Sequence, residues 1–120
     1  FGGGPTFTGK TESWNGTSWA EVNDLNTTRA NLSGAGASNT AAIAFAGTTP
    51  PSTTVTNTEI WNGTSWTETA DMTTAREYLG GAGTSGLGLA MGGGGGGESA
   101  LTEEFNDPYD LTKTITTSAD

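Results

Sequence analysis

Apolar residues occur along this chain in short runs that are separated by polar and glycine-rich stretches. Ile43-Ala44-Phe45 and Leu89-Ala90-Met91 are two such runs, and each follows a segment of small residues, Ser33–Ala37 and Gly80–Thr84. Short segments bounded by Gly, Asn and Ser are typical of β-strands. No long window shows the three- and four-residue spacing of an amphipathic helix. The pattern therefore predicts an all-β chain.

These runs belong to a repeated unit. The phrase WNGTSW stands at Trp14–Trp19 and again at Trp61–Trp66, an offset of 61 − 14 = 47, and the flanking residues match at similar offsets. A weaker third copy places Phe105 where the second copy has Trp61. Repeats of this length indicate stacked supersecondary units. We expect residues 1–28 to form a partial unit, 29–75 a complete unit, and 76–120 a complete but degenerate unit.

Each complete unit is expected to hold four short antiparallel strands. In the second unit the third and fourth strands are predicted at Val55–Trp61 and Ser65–Ala70, and in the third unit the first two are predicted at Tyr78–Thr84 and Leu87–Met91. The Asn-Gly pair predicts a tight hairpin because both residues tolerate positive φ. Large indole rings beside such a turn are expected to pack against neighbouring sheets. They belong to Trp14, Trp19, Trp61 and Trp66, with Ile115 as the expected substitute in the third unit.

The spacing resembles the kelch repeat of β-propellers. The matching pieces are Leu25-Asn26-Thr27-Thr28-Arg29, Ile43–Gly47, Trp61 and Trp66, then Met72-Thr73-Thr74-Ala75-Arg76, Leu89–Gly93 and Phe105. The resemblance implies a partial β-propeller of four-stranded antiparallel kelch-like blades, with about two and a half to three blades in this chain. A closed propeller needs ~4–8 blades. We therefore expect either an excerpt of a longer polypeptide or a ring of several copies, and the ends within a blade favour the excerpt.

Composition narrows the range of functions. Four basic residues against thirteen acidic ones give a net charge of −9, which disfavours nucleic-acid binding because phosphates are bound by Lys and Arg. No apolar run is long enough to insert into a membrane. The chain has no Cys and no His, so the commonest metal ligands and the commonest general base are missing. We predict a non-enzymatic protein with no cofactor and no metal site.

The charged residues that repeat are candidates for a structural role. Arg29 and Arg76 occupy equivalent positions, and so do Glu12 and Glu59. Repetition in every unit favours structure, since a catalytic pair needs one unique convergence. We predict that each arginine bridges blades through backbone carbonyls or a nearby carboxylate. The six glycines of Gly92–Gly97 are predicted to form a loop between the second and third strands.

The third unit replaces the Asn-Gly turn with an acidic turn. Its residues Asp107, Tyr109 and Asp110 are candidates for contact with a partner. A calcium site is less favoured there, because the turn lacks the Gly and the distal Glu of an EF-hand loop.

The near-identical WNGTSW units, with strands rich in Thr, Gly and Ala, also resemble kelch-like repeats in virion structural proteins of phages and in bacterial surface proteins. That resemblance implies an extracellular or virion-associated structural or binding module, such as part of a tail fibre, a capsid appendage or a surface-protein propeller. Variable rim loops would contact protein or polysaccharide. The expected partners are other virion or surface-assembly proteins, or more blades of a longer parent chain. The alternative is a lectin-like oligomeric propeller that binds sugars by Trp stacking.

Overall fold

The chain folds as short antiparallel β-strands. The computed structural model describes residues 1–95 and 97–107, which contain eleven strands and no helix. Among these residues, therefore, no helix has the length and apolarity needed to cross a membrane. In chain order the strands are β1 Thr11–Trp14, β2 Trp19–Val22, β3 Ser33–Ser38, β4 Ala41–Phe45, β5 Thr48–Thr49, β6 Thr53–Thr54, β7 Thr58–Trp61, β8 Trp66–Glu68, β9 Gly80–Gly83, β10 Leu87–Met91 and β11 Thr102–Asn106. The all-β prediction is confirmed.

The strands form four separate sheets. β1 and β2 make a hairpin, β3-β4-β7-β8 make a four-stranded sheet, β11-β10-β9 make a three-stranded sheet, and β5-β6 make a minimal hairpin. The four strands predicted for residues 29–75 are thus present in one sheet, in chain order except for the inserted β5-β6 hairpin.

Two predicted strands begin too early. The segment before β7 does not pair with β4, because Val55 N donates to Gly47 O and Thr56 O accepts from Met72 N. Tyr78 has a φ of 54° and its N–H donates to Asn31 O, so the first strand of the third unit starts only at Gly80. In both places the backbone contacts another loop instead of extending a ladder.

The two WNGTSW hairpins close through a different turn from the one predicted. Only the glycine has positive φ, 98° at Gly16 and 94° at Gly63. The preceding asparagine acts through its side chain, since Asn15 Oδ1 accepts from the N–H groups of Thr17 and Ser18 at 2.9 Å each. Asn62 makes the same two contacts in the second hairpin. The loop therefore spans four residues and is fixed by an asparagine side chain.

The core lies on both faces of the four-stranded sheet. One cluster joins that sheet to the β1-β2 segment and contains Leu25, Ala44, Trp61 and Trp66. The other joins it to the three-stranded sheet and contains Ile43, Phe45, Ala46 and Ala90. Successive residues of β4 point to opposite faces, so burial of both faces explains why this strand is apolar throughout.

Small residues let the sheets approach closely at one edge. A Cβ atom built on Gly81 of β9 would lie 2.6 Å from Gly34 O of β3 and 2.7 Å from Phe45 Cζ, closer than real Cβ contacts allow. β3 and β9 can therefore approach this closely only because glycine stands at position 81.

Candidate functional site

Arg29 is completely buried at the end of the four-stranded sheet. Its Nη1 donates to Ala46 O at 2.9 Å and to Asn57 O at 2.6 Å, and its Nη2 donates to Glu59 Oε1 at 3.0 Å. Both side chains of this ion pair are inaccessible to solvent. Burial lowers the pKa of the Arg29 guanidinium, and the charge of Glu59 acts in the opposite direction. We call Arg29, Ala46, Asn57 and Glu59 the first arginine cluster.

The same arrangement recurs in the three-stranded sheet. Arg76 Nη1 donates to Gly92 O at 2.8 Å and to Leu101 O at 2.7 Å, and Nη2 donates to Glu103 Oε2 at 2.7 Å. Burial acts to raise the pKa of Glu103, but hydrogen bonds from Thr73 and Arg76 outweigh it, so that this pKa lies below its ordinary value. Arg76, Gly92, Leu101 and Glu103 form the second arginine cluster.

The arginines act within a sheet, and the carboxylates link one unit to the next. All three acceptors of Arg29 belong to its own unit, which corrects the expectation that the arginine bridges blades. Glu59 also accepts from the backbone N–H groups of Asn26 and Thr27, which lie in the preceding unit, at 2.7 and 3.2 Å. Thr73 N donates to Glu103 in the same way. A carboxylate that accepts from the arginine of its own unit and from the backbone of the preceding unit is thus the joint between units; Glu59 is buried, whereas the Glu103 side chain is 20% exposed.

Trp61 and Trp66 are buried between units, as their repeat predicted. Trp61 is 4% exposed and donates its indole N–H to Asn39 O at 3.0 Å. Trp66 is 5% exposed and donates to Thr11 Oγ1 of β1 at 2.9 Å. The Phe1 ring lies edge-on to Trp66, with 5.1 Å between centroids. These indoles cannot stack on a ligand.

The first pair of tryptophans lies on the surface, contrary to the expectation that it packs between sheets. Trp14 is 44% and Trp19 64% exposed, and their rings lie 5.4 Å apart in a tilted pair. They border a groove of about 250 Å³ that runs beside β1. We call this the tryptophan groove; it is lined by Phe1, Thr11, Glu12, Ser13, Trp14, Trp19, Val22, Ser38, Asn39, Ala42, Trp61 and Trp66.

A second depression of about 610 Å³ lies where two loops meet. Gly94 in the Gly-rich loop pairs with Glu77 through two backbone hydrogen bonds of 2.7 and 2.8 Å. Glu77 Oε2 in turn accepts from Thr48 Oγ1 at 2.6 Å and from Asn31 Nδ2 at 3.0 Å. The Gly92–Gly97 segment joins β10 to β11, as predicted. We call this area the rim surface; its lining residues are Thr54, Glu77, Tyr78, Gly93, Gly94, Gly95, Gly97 and Glu98.

Tyr78 is an exposed aromatic residue on the rim surface, and the sequence pattern did not identify it as a contact residue. Its side chain is 74% exposed although its backbone is held at φ 54°. The equivalent residue of the preceding unit, 78 − 47 = 31, is Asn31, which has a φ of 56°. Asn tolerates this conformation, whereas a bulky aromatic residue rarely adopts it. The signal in the sequence was a tyrosine where the repeat has asparagine.

The acidic turn of the third unit is only partly visible. Asp107 donates its backbone N–H to Gly86 O at 3.0 Å, while Tyr109 and Asp110 lie outside the described residues, as does Ile115. Across residues 1–95 and 97–107 no group of three or more Asp or Glu side chains is arranged to hold a metal ion.

Comparison with known proteins identifies the fold and no family. No family model matches the chain, and no curated protein matches it. Among solved structures, the chain is similar to that of YjhT, with a TM-score of 0.60 and 16% sequence identity over 78% of this chain. The match covers 33% of the YjhT chain, so this chain spans about a third of that protein's length. At this identity the likeness establishes a shared β-sheet fold alone.

Proposed function

We propose that this chain is a non-enzymatic structural or binding module built from kelch-like β-propeller blades, located in a virion or on the outside of a cell. The rim surface makes its contacts with protein or polysaccharide. The single observation that carries this proposal is the recurrence of the arginine cluster, which holds each sheet together and links it to the preceding unit.

Both arginines and a buried glutamate are engaged in this scaffold, which supports a structural role for these charged groups. Arg29 and Arg76 are the only arginines of the sequence, and both are buried in the clusters. Glu59 is buried in the same way and accepts hydrogen bonds from two units. A rigid stack of sheets with varied loops is an architecture suited to recognition, because the scaffold positions the loops without taking part in the contact.

The rim surface differs from unit to unit in the manner expected of a contact site. The loop after β4 carries the β5-β6 hairpin, whereas the loop after β10 is a run of glycines. The two loops touch, since a Cβ on Gly95 would lie 3.1 Å from Thr54 Cγ2. The exposed Tyr78 ring beside them offers a large flat surface with a hydroxyl group, a combination enriched in binding sites.

A second candidate is a lectin-like module, favoured by the exposed tryptophan pair. Trp14 and Trp19 present indole faces to solvent beside Ser13 and Asn39, whose side chains are hydrogen-bonded to each other at 3.1 Å. Aromatic faces next to hydroxyl and amide groups suit the alternating apolar and polar faces of a sugar ring.

Binding to an array of bacterial surface polysaccharides and glycans separates the two candidates. Tyr78→Asn alters only the rim surface and introduces the residue that the preceding unit carries, so we expect the fold to be kept. Trp19→Ala alters only the tryptophan groove. Loss of binding in Tyr78→Asn alone supports the rim surface, and loss in Trp19→Ala alone supports the lectin.

Protein partners are tested with a photo-crosslinking amino acid placed at position 78, applied to intact virions or cell envelopes of the source. The proposal expects crosslinks from position 78 and far fewer from position 67, an exposed residue of β8. Equal crosslinking from the two positions, together with glycan binding that survives Tyr78→Asn, would contradict the use of the rim surface.

A further inference from the structure

The β5-β6 hairpin lies in the connection between the second and third strands of the four-stranded sheet. Its strands pair Thr48 with Thr54 and Thr49 with Thr53, so residues 50–52 form its tip. In the third unit the corresponding loop is a run of glycines, and its described residues form no strand. The second unit therefore carries a structured loop where its neighbour carries a glycine-rich one.

The tip of this hairpin presents two adjacent proline rings. Pro50, Pro51 and Ser52 are all exposed, and we call these three residues the proline tip. Proline has no backbone N–H, so positions 50 and 51 offer no main-chain donor. The Ser52 hydroxyl donates to Pro51 O within the tip. What the tip offers to a partner is therefore mainly the apolar surface of the two rings.

The base of the hairpin is anchored to both neighbouring loops. Thr48 exchanges two backbone hydrogen bonds with Ala30, at 2.8 and 2.9 Å, and its Oγ1 donates to Glu77 Oε2 at 2.6 Å. Val55 N donates to Gly47 O at 2.9 Å and closes the loop below the two strands. Because the base is held and the proline rings fix the backbone φ, the tip loses little conformational entropy when it binds.

The proline tip lies in an uncharged stretch of an acidic chain. No charged residue occurs between Arg29 and Glu59, whereas the whole sequence carries a net charge of −9. A contact made by the tip itself therefore cannot depend on ion pairs. It depends on the shape and the apolar surface of the two rings.

This chemistry separates the two classes of partner, protein and polysaccharide, that the rim loops were proposed to contact. Sugars are bound through aromatic faces and through hydroxyl or amide groups, and the side chains of Pro50 and Pro51 supply none of these. Proline-rich segments are instead recognised by grooves that are lined with aromatic side chains of another protein. The tip therefore fits a protein partner.

We propose that the proline tip inserts into a pocket lined by aromatic side chains on a partner protein. This inference rests on the proposed function, because it names the class of partner that the rim loops contact. The rings of Pro50 and Pro51 pack against the aromatic faces, and β5 and β6 hold them in position. Thr54 belongs both to β6 and to the rim surface, so the two contact areas adjoin.

The first test places a photo-crosslinking amino acid at position 52 and, as a control, at position 40. Thr40 is exposed in the turn before β4, at the opposite end of that strand. Both chains are applied to intact virions or cell envelopes of the source. We expect position 52 to crosslink to a protein peptide that contains Trp, Tyr or Phe, and position 40 to crosslink far less. Equal crosslinking, a crosslinked polysaccharide, or a peptide without an aromatic residue would each overturn the proposal.

The captured protein, once purified, gives a quantitative test. Pro50→Gly combined with Pro51→Gly introduces the residue type of the third unit and is expected to raise the Kd by about tenfold. The matched control is Pro5→Gly, which removes another exposed proline and is expected to leave the Kd unchanged. Circular dichroism verifies the fold of both variants. Equal binding by the parent chain and the double variant would overturn the proposal.

A double-mutant cycle checks that the rings and the aromatic pocket form one contact. Replacing the crosslinked aromatic residue of the captured protein by alanine should weaken binding of the parent chain. The same replacement should have no further effect on the variant that lacks Pro50 and Pro51, because the two changes remove the same contact. Additive losses would show that the proline rings bind elsewhere and would overturn the proposal.

Failure of this inference and failure of the proposed function give different results. Crosslinks from position 78 without crosslinks from position 52 overturn the role of the proline tip and leave the rim surface in use. No crosslinks from either position, together with glycan binding that survives Tyr78→Asn, overturn both.

Discussion

Single residues hold this protein together through buried charge. The guanidinium of Arg29 and the carboxylate of Glu59 are both inaccessible to solvent and lie 3.0 Å apart. Taking two charges out of water is unfavourable, so such a pair contributes only when further hydrogen bonds satisfy each partner. Two carbonyls accept from Arg29 Nη1 and two backbone N–H groups donate to Glu59, whereas Arg29 Nε is buried with no hydrogen-bond partner among the described residues. Removing one member leaves the other unpaired.

Arg29→Met is therefore expected to lower the free energy of unfolding by about 3–5 kcal/mol, because Glu59 would remain buried without its cation. Chemical denaturation measures the change. The control is Lys10→Met, which removes the 2.8 Å ion pair between Lys10 and Glu21, both exposed, and is expected to have no measurable effect. Equal losses in the two variants would contradict the role of the cluster.

The stability of the second cluster is expected to depend on pH. The pKa of Glu103 lies below its ordinary value of 4.5, so the folded protein holds this carboxyl ionised to lower pH than the unfolded chain does. The contribution of Glu103 to the free energy of unfolding is complete above about pH 4.5. It is lost as the pH falls through the pKa that Glu103 has in the folded protein. Chemical denaturation gives the free energy of unfolding of the parent chain and of Glu103→Gln from about pH 7 to about pH 3. The difference between the two free energies should become smaller as the pH falls. A constant difference would refute this assignment.

At the scale of elements, identical hairpins have different environments. The two WNGTSW hairpins share their turn geometry, yet one lies between two sheets and the other at the surface. The position of a hairpin in the stack of sheets therefore decides how much its indoles contribute to the stability of the fold.

Trp66→Ala and Trp19→Ala test this directly, because both change the last residue of the same phrase. Trp66 packs against Phe1 and Thr11, so its truncation is expected to destabilise the fold by about 3–5 kcal/mol. Trp19 is 64% exposed, and its truncation should cost less than about 1 kcal/mol. Thermal or chemical unfolding gives both values, and similar losses would mean that Trp19 is covered in solution.

Neighbouring glycines of β9 offer a second matched pair. A Cβ at Gly81 would lie 2.6 Å from the backbone oxygen of Gly34, whereas a Cβ at Gly80 meets only Met91 at 3.7 Å. We expect Gly81→Ala to destabilise the protein by about 1–3 kcal/mol by pushing β9 away from β3. Gly80→Ala should stay within about 0.5 kcal/mol of the parent chain in the same unfolding assay. A neutral Gly81→Ala would show that the two strands can separate freely.

The sequence predicted the elements better than their environments. The strand class, the repeat and the Leu87–Met91 strand follow from local pattern, which depends on residues close in the chain. The exposure of Trp14 does not, because it depends on whether another sheet covers β1. The Arg29 acceptors were foreseen as carbonyls and a carboxylate, but their location within one sheet depends on packing. Tyr78 was missed because positive φ leaves no mark in hydrophobic periodicity.

At the scale of the whole molecule, burial is uneven along the stack. The four-stranded sheet is covered on both faces, and β4 has a strand on each side. β1 has one neighbouring strand among the described residues and borders an open groove. Cooperative opening should therefore begin at the β1-β2 end.

Native-state hydrogen exchange is expected to show this gradient. Amides of β4 should exchange at least about tenfold more slowly than those of β1, since local opening of the hairpin exposes less buried surface than opening of the central sheet. Exchange measured by mass spectrometry on peptides covering residues 11–14 and 41–45 provides the comparison. Equal rates would indicate that the chain opens as one unit.

The joint made by Glu59 and Glu103 also bears on how such a chain changes in evolution. Glu59 accepts from two backbone N–H groups of the unit before it and Glu103 from one, and main-chain donors do not depend on which side chains that unit carries. Duplication of the DNA for one unit would thus insert a sheet that fits both neighbours at once, whatever has happened to its loops. Lineages could lengthen or shorten the array by recombination while the rim sequences diverge independently.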